Sequence, residues 1–313
     1  LREGWAVTVV DDCSTGSPAN LRRVQHHPNL TMLQCRVSDC AELPELCGRA
    51  SFIFHLAAAV GVELVVHSPI RTIETNLQES EVILLAASKN KTPILFTSTS
   101  EVYGKSSKPG FSEEDDLLIG PPYLGRWSYA CSKLMDEFLA LAYYRELSLP
   151  VIIVRLFNTV GPRQTGRYGM VVPRFVSAAL ANQPLQVYGS GDQTRCFCHV
   201  HDTVEALFRL MQNKTAFGRI FNIGSTEEIS IRRLAERIIA VLGSKSRIEF
   251  IPYQEAYMPG FEDMLRRKPI IEKLGQTTGF TPGIGLQEII SSIATEMRQQ
   301  PTQQTGGDDV RGL

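Results

Sequence analysis

The chain has 313 residues, with 32 Lys and Arg against 33 Asp and Glu, so its formal net charge is −1. A chain so near neutrality lacks the basic surface that nucleic acids and anionic membranes require, so neither is expected as a partner. No apolar run approaches the ~20 residues of a membrane span, and no signal peptide is expected. The seven scattered cysteines and six histidines show no disulfide or metal-ligand spacing, which indicates a reducing, cytoplasmic compartment and no metal site.

Strand and helix patterns alternate through the first half of the chain. Short apolar runs rich in β-branched residues predict strands, and apolar residues three and four apart predict helices. In chain order the predicted elements are strands at 6–10, 30–35 and 51–56, a helix at 70–88, a strand from 93, a helix at 128–146 and a strand at 151–154. Because these strands are apolar and separated by helices, we predict an α/β fold with a doubly wound parallel sheet, whose ligands lie beyond the carboxyl ends of its strands.

Glycine and proline become more frequent after residue 161, where short strands and helices mix. The clearest patterns there are strands at 185–188 and 220–223 and helices at 202–211 and 231–242. We therefore predict a Rossmann-like domain over residues 1–165 and a smaller α/β lobe over 166–298, some of whose segments return to the first domain. The tail 299–313 is polar, which is typical of a disordered segment.

Three features bring polar groups to the expected ligand-binding edge. Asp11 ends the first visible strand, where dinucleotide folds place an acid on the ribose hydroxyls, although turn chemistry explains it equally well. The run 97–101 carries four hydroxyls and the carboxylate of Glu101, which would hold a substrate oxygen and supply a base, or form a Ser/Thr-rich turn. Tyr129 and Lys133 share one helix face, where the ammonium would lower the pKa of the phenol and make it a base, although such pairs also occur on many surface helices.

Together these features resemble the extended short-chain dehydrogenase/reductase superfamily, whose members act on nucleotide-linked sugars with tightly bound NAD. The resemblance covers residues 4–298 and includes further motifs at 55–58, 155–163 and 187–195. It implies Thr99, Tyr129 and Lys133 as the catalytic core. The implied contacts with NAD are Asp11, Asp12, Ser14, Leu56, Ala57, Ala58, Asn76, Thr97, Tyr129, Lys133 and Phe157. The implied contacts with a UDP-sugar are Ser100, Arg126, Asn158, Val172, Gln186, Val187, Tyr188, Arg195, Tyr257 and Phe261.

Three matches favour the UDP-glucuronate decarboxylases within this superfamily. The run 99–101 resembles their Thr-Ser-Glu, whereas the 4,6-dehydratases carry Asp in place of Ser100, and simple 4-epimerases usually have no acid at Glu101. Arg267 resembles the Arg of their Arg-Lys-Pro motif, which is a proton donor, so Glu101 and Arg267 join the implied catalytic residues. Arg126 precedes the catalytic Tyr as in the bacterial oxidative decarboxylase domain, and it is expected to face a substrate carboxylate, because a guanidinium binds a carboxylate bidentately.

Three positions depart from the decarboxylase pattern. Val65 stands where those enzymes have a Tyr that contacts the sugar, and Phe261, close to Tyr257, stands in place of a second one. Arg36 replaces an Asp that often contacts adenine. The first two weaken the match to glucuronate, and the third concerns only the cofactor.

The resemblance implies oxidation of the sugar at C4, loss of CO2 and return of hydride, giving a UDP-xylose type product. A UDP-sugar 4-epimerase of the UDP-glucose 4-epimerase type is the alternative, and a non-catalytic sugar-nucleotide binder is a third reading. A homodimer formed through the helices at 70–88 and 128–146 is also implied. The family's first strand and glycine-rich phosphate-binding turn have no counterpart here, so we expect the natural chain to begin earlier and residues 1–313 to bind NAD weakly.

Overall fold

The computed structural model describes residues 1–59, 68–166, 170–252 and 264–299. Strands and helices alternate, and we number each type in chain order. The strands are β1 Val7–Val10, β2 Leu30–Leu33, β3 Ile53–His55, β4 Ile94–Thr99, β5 Val151–Leu156, β6 Thr159–Val160, β7 Leu185–Tyr188, β8 Thr194–Cys196, β9 Cys198–His199, β10 Arg219–Ile223, β11 Glu228–Ser230 and β12 Ile248–Ile251. The α-helices are α1 Leu43–Arg49, α2 Pro69–Asn90, α3 Ser128–Leu147, α4 Val171–Leu180, α5 Val200–Gln212, α6 Ile231–Leu242, α7 Glu272–Thr278 and α8 Leu286–Gln299.

Four strands form the central parallel sheet, in the order β10–β5–β4–β3. Strands β1 and β2 form a separate parallel pair, and within the described ranges no strand joins β1 to β3. Every residue of β4 is buried, and its side chains alternate between the two faces. Ile94 and Phe96 pack with α2 and α3, whereas Leu95 packs with α5. Helices therefore cover both faces, which confirms the predicted α/β fold with a doubly wound parallel sheet.

The C-terminal part of the chain has a hydrophobic core of its own. Helices α4, α6 and α8 pack there around β7, and Val172, Leu185 and Leu234 are fully buried among them. Strand β12 pairs with β7 in parallel, and β11 pairs with β8 antiparallel. Helix α5 instead packs on the central sheet, and strand β10 pairs with β5 there, so the chain crosses back to the first core at α5.

Local chemistry explains where the prediction of elements succeeds and where it fails. Helix α6 has the predicted bounds because Ser230 caps its first turn, accepting a bond from Arg233 N at 3.2 Å, and Gly243 ends it in the left-handed conformation. The alternating residues 196–198 also predict a strand, and the structure divides this stretch, because Phe197 separates β8 from β9, which pair with different partners. All seven cysteines are free. Among the helices of the described ranges, none has the length and apolarity that a membrane crossing needs.

Candidate active site

The predicted active-site run lies where β4 ends. The chain turns there into a 3-10 helix, Ser100–Tyr103, which Thr99 caps by accepting a hydrogen bond from Glu101 N at 3.2 Å. The Tyr103 hydroxyl fixes the far end of this helix by donating to Asn222 Oδ1 at 2.7 Å. The run 97–101 thus forms a capped turn, which agrees with the interpretation of this run as a Ser/Thr-rich turn. It also places Glu101 at the end of β4.

Two arginines from distant parts of the chain close around Glu101. Arg126 lies in the 3-10 helix Gly125–Trp127, which precedes α3, and its Nη1 bonds to Glu101 Oε2. Arg267 Nη1 lies 3.5 Å from the other carboxylate oxygen, and its Nη2 donates to Ser100 Oγ at 2.6 Å. All four side chains are buried. The fold therefore brings together residues that are 25 and 166 positions apart from Glu101.

These arginines decide the charge of Glu101. Burial acts to raise the pKa of its carboxyl group, but the positive charges of Arg126, Arg267 and Arg195 lower that pKa below its ordinary value of 4.5. Glu101 is therefore a carboxylate at neutral pH. Three guanidinium groups therefore act on this one carboxylate and keep it ionised.

Tyr129 lies in the first turn of α3, where it shares a hydrogen bond with Thr99. Burial raises the pKa of the phenol above its ordinary value of 10, and the negative charge of Glu101 raises it further. Arg267 and the bond with Thr99 act in the opposite direction but do not outweigh burial. The expectation of a lowered pKa for Tyr129 is therefore wrong for this structure.

Lys133 lies one helical turn beyond Tyr129, in the protein interior. Its Nζ donates to Asp136 Oδ2 at 2.8 Å, and each of the two side chains is 2% exposed. Burial, and then the charge of Lys133, lower the pKa of His55 to about 3. The sequence prediction missed Asp136, although an acid three residues after a helical Lys is a readable sign of such a pair.

The side chain of Asn76 fixes the loop that follows β3. Asn76 Oδ1 accepts a hydrogen bond from Ala59 N at 2.8 Å, and its Nδ2 donates to Ser132 Oγ at 3.1 Å. Thr97 Oγ1 donates to the His55 carbonyl at 3.0 Å and so joins β4 to β3 at the same edge. Asn76 and Thr97, both predicted to contact NAD, therefore shape the edge at which a cofactor would lie.

The acids beyond β1 form turns and also face solvent. Asp11 Oδ1 accepts from Cys13 N at 2.7 Å, and Asp12 Oδ1 accepts from Ser14 N at 2.9 Å, so the turn interpretation describes these bonds. Each carboxylate keeps acceptor capacity for ribose hydroxyls. Of the other predicted contacts, Leu56 and Ala57 are exposed, Ala58 is half-buried and Phe157 is buried.

The chemistry of these donors and acceptors fits two ends of a dinucleotide. Exposed carboxylates beyond β1 suit a ribose diol, and the edge formed by β3, β4 and α3 presents hydroxyls, a phenol and an ammonium. The described residues include no glycine-rich turn for the diphosphate. The assignment of NAD contacts therefore concerns the adenosine ribose and the nicotinamide end.

The predicted substrate contacts of the lobe lie on β7, on α4 and after β5. Asn158 Nδ2 donates to the Cys196 carbonyl at 3.0 Å. The Tyr188 hydroxyl accepts from Arg174 Nη2 at 2.7 Å, and the guanidinium lies 5.0 Å from the centre of the Tyr188 ring. Arg174 is a second residue that the sequence prediction missed, because its bond to Tyr188 joins a helix to a strand.

Other predicted substrate contacts differ in what they expose. The side chains of Val172 and Val187 are fully buried in the lobe core, so only their backbone can meet a ligand. Gln186 is exposed, and Arg195 is buried with its Nη1 donating to the Thr194 carbonyl at 2.8 Å. Tyr257, Phe261 and Val65 lie outside the described residues.

Similarity to known proteins extends over nearly the whole chain. The chain is 42% identical to the UDP-N-acetyl-alpha-D-glucosaminuronate decarboxylase of Bacillus cytotoxicus, over 93% of this chain and 90% of that protein. It is 33% identical to UDP-glucuronic acid decarboxylase 4 of Arabidopsis thaliana, over 96% of this chain and 65% of that protein. Its fold matches the UDP-glucose 4-epimerase of Thermotoga maritima with a TM-score of 0.84 and 25% identity, covering 95% of this chain and 92% of that one.

The family follows from a match to most of the chain. Residues 1–224 fit the family described as NAD dependent epimerase/dehydratase. This stretch contains the whole central sheet, the Thr99 turn and the helix that carries Tyr129 and Lys133. The chain belongs to the NAD dependent epimerase/dehydratase family.

Proposed function

We propose that the protein is a decarboxylase of UDP-linked uronic acid sugars. The observation that carries the proposal is the buried cluster of Ser100, Glu101, Arg126 and Arg267 beside Tyr129. The cluster sets an ionised carboxylate and a guanidinium beside the phenol of Tyr129, and these are groups that oxidation at C4 and the later return of a proton to C5 would need. The relatives matched over more than nine-tenths of the chain are named as decarboxylases of such acids.

The N-acetylated sugar acid is the favoured substrate. The relative named for UDP-N-acetylglucosaminuronate is 42% identical, against 33% for the relative named for UDP-glucuronic acid. The departures at Val65 and Phe261 support the same choice, since each replaces a Tyr expected to contact glucuronate. Both acids would undergo the same loss of CO2, so the choice between them concerns the sugar's C2 substituent.

Thr99 and Tyr129 are assigned to the oxidation step. NAD, when bound, supplies the hydride acceptor for C4 of the sugar and can return that hydride. The bonded hydroxyls of Thr99 and Tyr129 would hold the C4 oxygen between them, with Tyr129 taking its proton. Because burial raises the pKa of Tyr129, the phenol is protonated at neutral pH in this structure, and activity is expected to rise on the alkaline side as it ionises.

Arg267 and Glu101 are assigned to the step after oxidation. A C4 ketone lies β to the C6 carboxylate, so the C5–C6 bond can break and its electron pair can pass to the ketone oxygen as CO2 leaves. Arg267 lies against both Ser100 and Glu101, where it can hold the donor that returns a proton to C5. Glu101 stays ionised beside it, and its charge opposes accumulation of a second carboxylate, which favours departure of CO2.

The test is an assay for CO2. The purified protein is incubated with NAD and either UDP-N-acetylglucosaminuronate or UDP-glucuronate, and CO2 and the nucleotide-sugar product are measured. We expect CO2 from both acids, with the higher kcat/KM for the N-acetylated one. Tyr129→Phe should lower the rate by about 10²-fold or more, because the proton of the C4 hydroxyl then has no acceptor. If neither acid yields CO2, the decarboxylase proposal fails.

A UDP-sugar 4-epimerase is the second candidate, and the fold match to UDP-glucose 4-epimerase supports it. It would use the same Thr99, Tyr129 and Lys133, but it needs no acid at position 101. Incubation with UDP-glucose and UDP-N-acetylglucosamine decides between the two: epimerised products without CO2 from the acids favour the epimerase. Binding of UDP-sugars with no change in any of them would favour a non-catalytic binder.

We further propose that two copies pair through helices α2 and α3. Each helix presents large apolar side chains to solvent, including Ile70 and Leu85 of α2 and Met135 and Phe138 of α3, which are 71%, 53%, 56% and 59% exposed. An apolar surface spread over two neighbouring helices is typical of a subunit contact. Sedimentation of the wild-type protein should give a dimer and Phe138→Glu a monomer, with Val204→Glu, an exposed site on α5, as the control.

A further inference from the structure

Arg126 has two possible partners in the proposed reaction, and the structure favours one of them. The residue types predict that Arg126 faces the carboxylate of the substrate. Its Nη1 instead bonds to Glu101 Oε2, and both residues are buried. Exchange of the Glu101 carboxylate for that of the substrate would be unfavourable, because breaking a buried ion pair leaves a buried charge without its partner.

The surroundings of Glu101 show what this pair achieves. The groups that act on the Glu101 carboxylate are Arg126, Arg267, Arg195 and the phenol of Tyr129. Arg126 bonds one carboxylate oxygen, and Arg267 lies 3.5 Å from the other, so the two arginines fix the plane of the carboxylate between them. Among these charges, that of Arg126 contributes most to the lowered pKa of Glu101.

The chemistry of CO2 loss gives a second reason. Negative charge leaves the substrate carboxylate as the C–C bond breaks and appears on the C4 oxygen. A guanidinium bonded to that carboxylate would stabilise the bound acid more than the transition state, and binding of that kind lowers KM without raising kcat. A guanidinium bonded to Glu101 has no such effect on the bound acid.

We propose that Arg126 is a positioning residue, which holds Glu101 ionised and oriented toward Tyr129 and Arg267 and does not bind the substrate's carboxylate. This inference rests on the proposed decarboxylation.

The kinetic test compares two substitutions of Arg126, one of them also combined with Glu101→Gln, with a control outside the cluster. Arg126→Gln should lower kcat by about 10²-fold, as loss of a proton-handling group does, while KM for the sugar acid stays near the wild-type value. The acid limb of its pH–rate profile should move to higher pH, because Glu101 then protonates more easily. Arg126→Lys, which keeps a cation for the single Nη1 contact, should recover most of kcat, and Arg126→Gln combined with Glu101→Gln should lose no more than Glu101→Gln alone. Arg266→Gln, which removes a half-exposed arginine paired with Glu228, should change neither constant.

A raised KM for the acid with unchanged kcat and an unchanged pH profile would show that Arg126 binds the substrate, and the inference would be overturned. Thermal unfolding of the two single variants and the double variant tests the pair without any substrate. Non-additive shifts in the unfolding temperature are expected, and additive shifts would contradict the pair. The unfolding test remains valid even if the wild-type protein releases no CO2. That result would contradict the proposed function but not the pairing of Arg126 with Glu101.

Discussion

Two buried ionic clusters lie close together in this protein, and they differ in how their charges balance. Glu137 of α3 meets a single arginine, Arg155 of β5, through bonds of 3.0, 3.3 and 2.8 Å, and it also accepts a bond from Ser98 Oγ at 2.5 Å. Glu101 contacts Arg126 and Arg267, and the charge of Arg195 also acts to lower its pKa. Counted over the residues just named, one cluster is neutral and the other is cationic.

The difference separates scaffold from site. The charges of Glu137 and Arg155 neutralise each other, so the pair needs no ligand and can only join α3 to β5 beneath the active-site turn. Glu101 is instead held between arginines from two distant segments, and it lies beside Tyr129. These neighbours, more than burial, lead us to propose the Glu101 cluster as the place for an acidic substrate.

The largest effect is expected in the neutral cluster. Glu137→Gln leaves Arg155 buried without its carboxylate, so the free energy of unfolding should fall by about 3–5 kcal/mol. Denaturant titration measures it, and Glu236→Gln is the matched control, because its pair with Arg232 is 56% exposed on both sides. If both variants lose the same small amount, Glu137 and Arg155 do not form the scaffold described here.

In the cationic cluster the effect should fall on activity. Glu101→Gln keeps the shape of the side chain and removes its charge, so the rate of CO2 release should drop by about 10²-fold, equal to about 2.7 kcal/mol of activation free energy. Glu228→Gln, which alters a carboxylate outside the cluster, is the control. An unchanged rate for Glu101→Gln would leave the cluster without a catalytic role.

An effect that depends on pH is expected beneath the site at His55. Burial lowers the pKa of His55 to about 3 from an ordinary value of 6.5. Between pH 3 and pH 6.5 the unfolded chain therefore binds a proton at this residue that the folded protein does not bind. The free energy of unfolding should therefore fall as pH decreases from 6.5 toward 3, with His55 contributing up to about 1.4 kcal/mol per pH unit. His55→Leu should flatten that slope, whereas His26→Leu, at an exposed site, should retain it. Equal slopes in the two variants would contradict the assignment.

The smallest effect is expected beside the cationic cluster, at Arg266. Its Nε lies 2.7 Å from Glu228 Oε1, and the arginine side chain is 47% exposed. Arg266→Gln should change the free energy of unfolding by no more than about 1 kcal/mol, as is usual for exposed pairs. If Arg266→Gln lowered the free energy of unfolding as much as Glu137→Gln, charge balance and burial would not distinguish the two clusters.

Much of the fold was predictable because its signals are local. Apolar runs placed β4 and β5, and Ser230 and Gly243 delimit α6 through bonds within a few residues. The pair Tyr129 and Lys133 is likewise readable from spacing along one helix. A split strand such as the one at Phe197 is not, since its two halves pair with strands far away in the chain.

Residues of the candidate site could be proposed from the sequence, but the hydrogen bonds and ion pairs between them could not. Glu101 could be proposed from its residue type, and Thr99 and Arg267 from their resemblance to the family's motifs, yet nothing in the sequence says that Arg126 bonds to Glu101, 25 positions away. The raised pKa of Tyr129 escaped prediction for a related reason: burial is a property of the packed structure, and its effect exceeds that of a neighbouring cation.

The most direct test is the release of CO2 from UDP-N-acetylglucosaminuronate labelled in its carboxyl carbon. The purified wild-type protein is supplied with NAD, and Tyr129→Phe serves as the inactive control. We expect labelled CO2 and an N-acetylated UDP-pentose in equal amounts from the wild type and almost none from the control. An intact labelled acid, together with epimerisation of a neutral UDP-sugar by the same preparation, would contradict the role given to the cluster around Glu101.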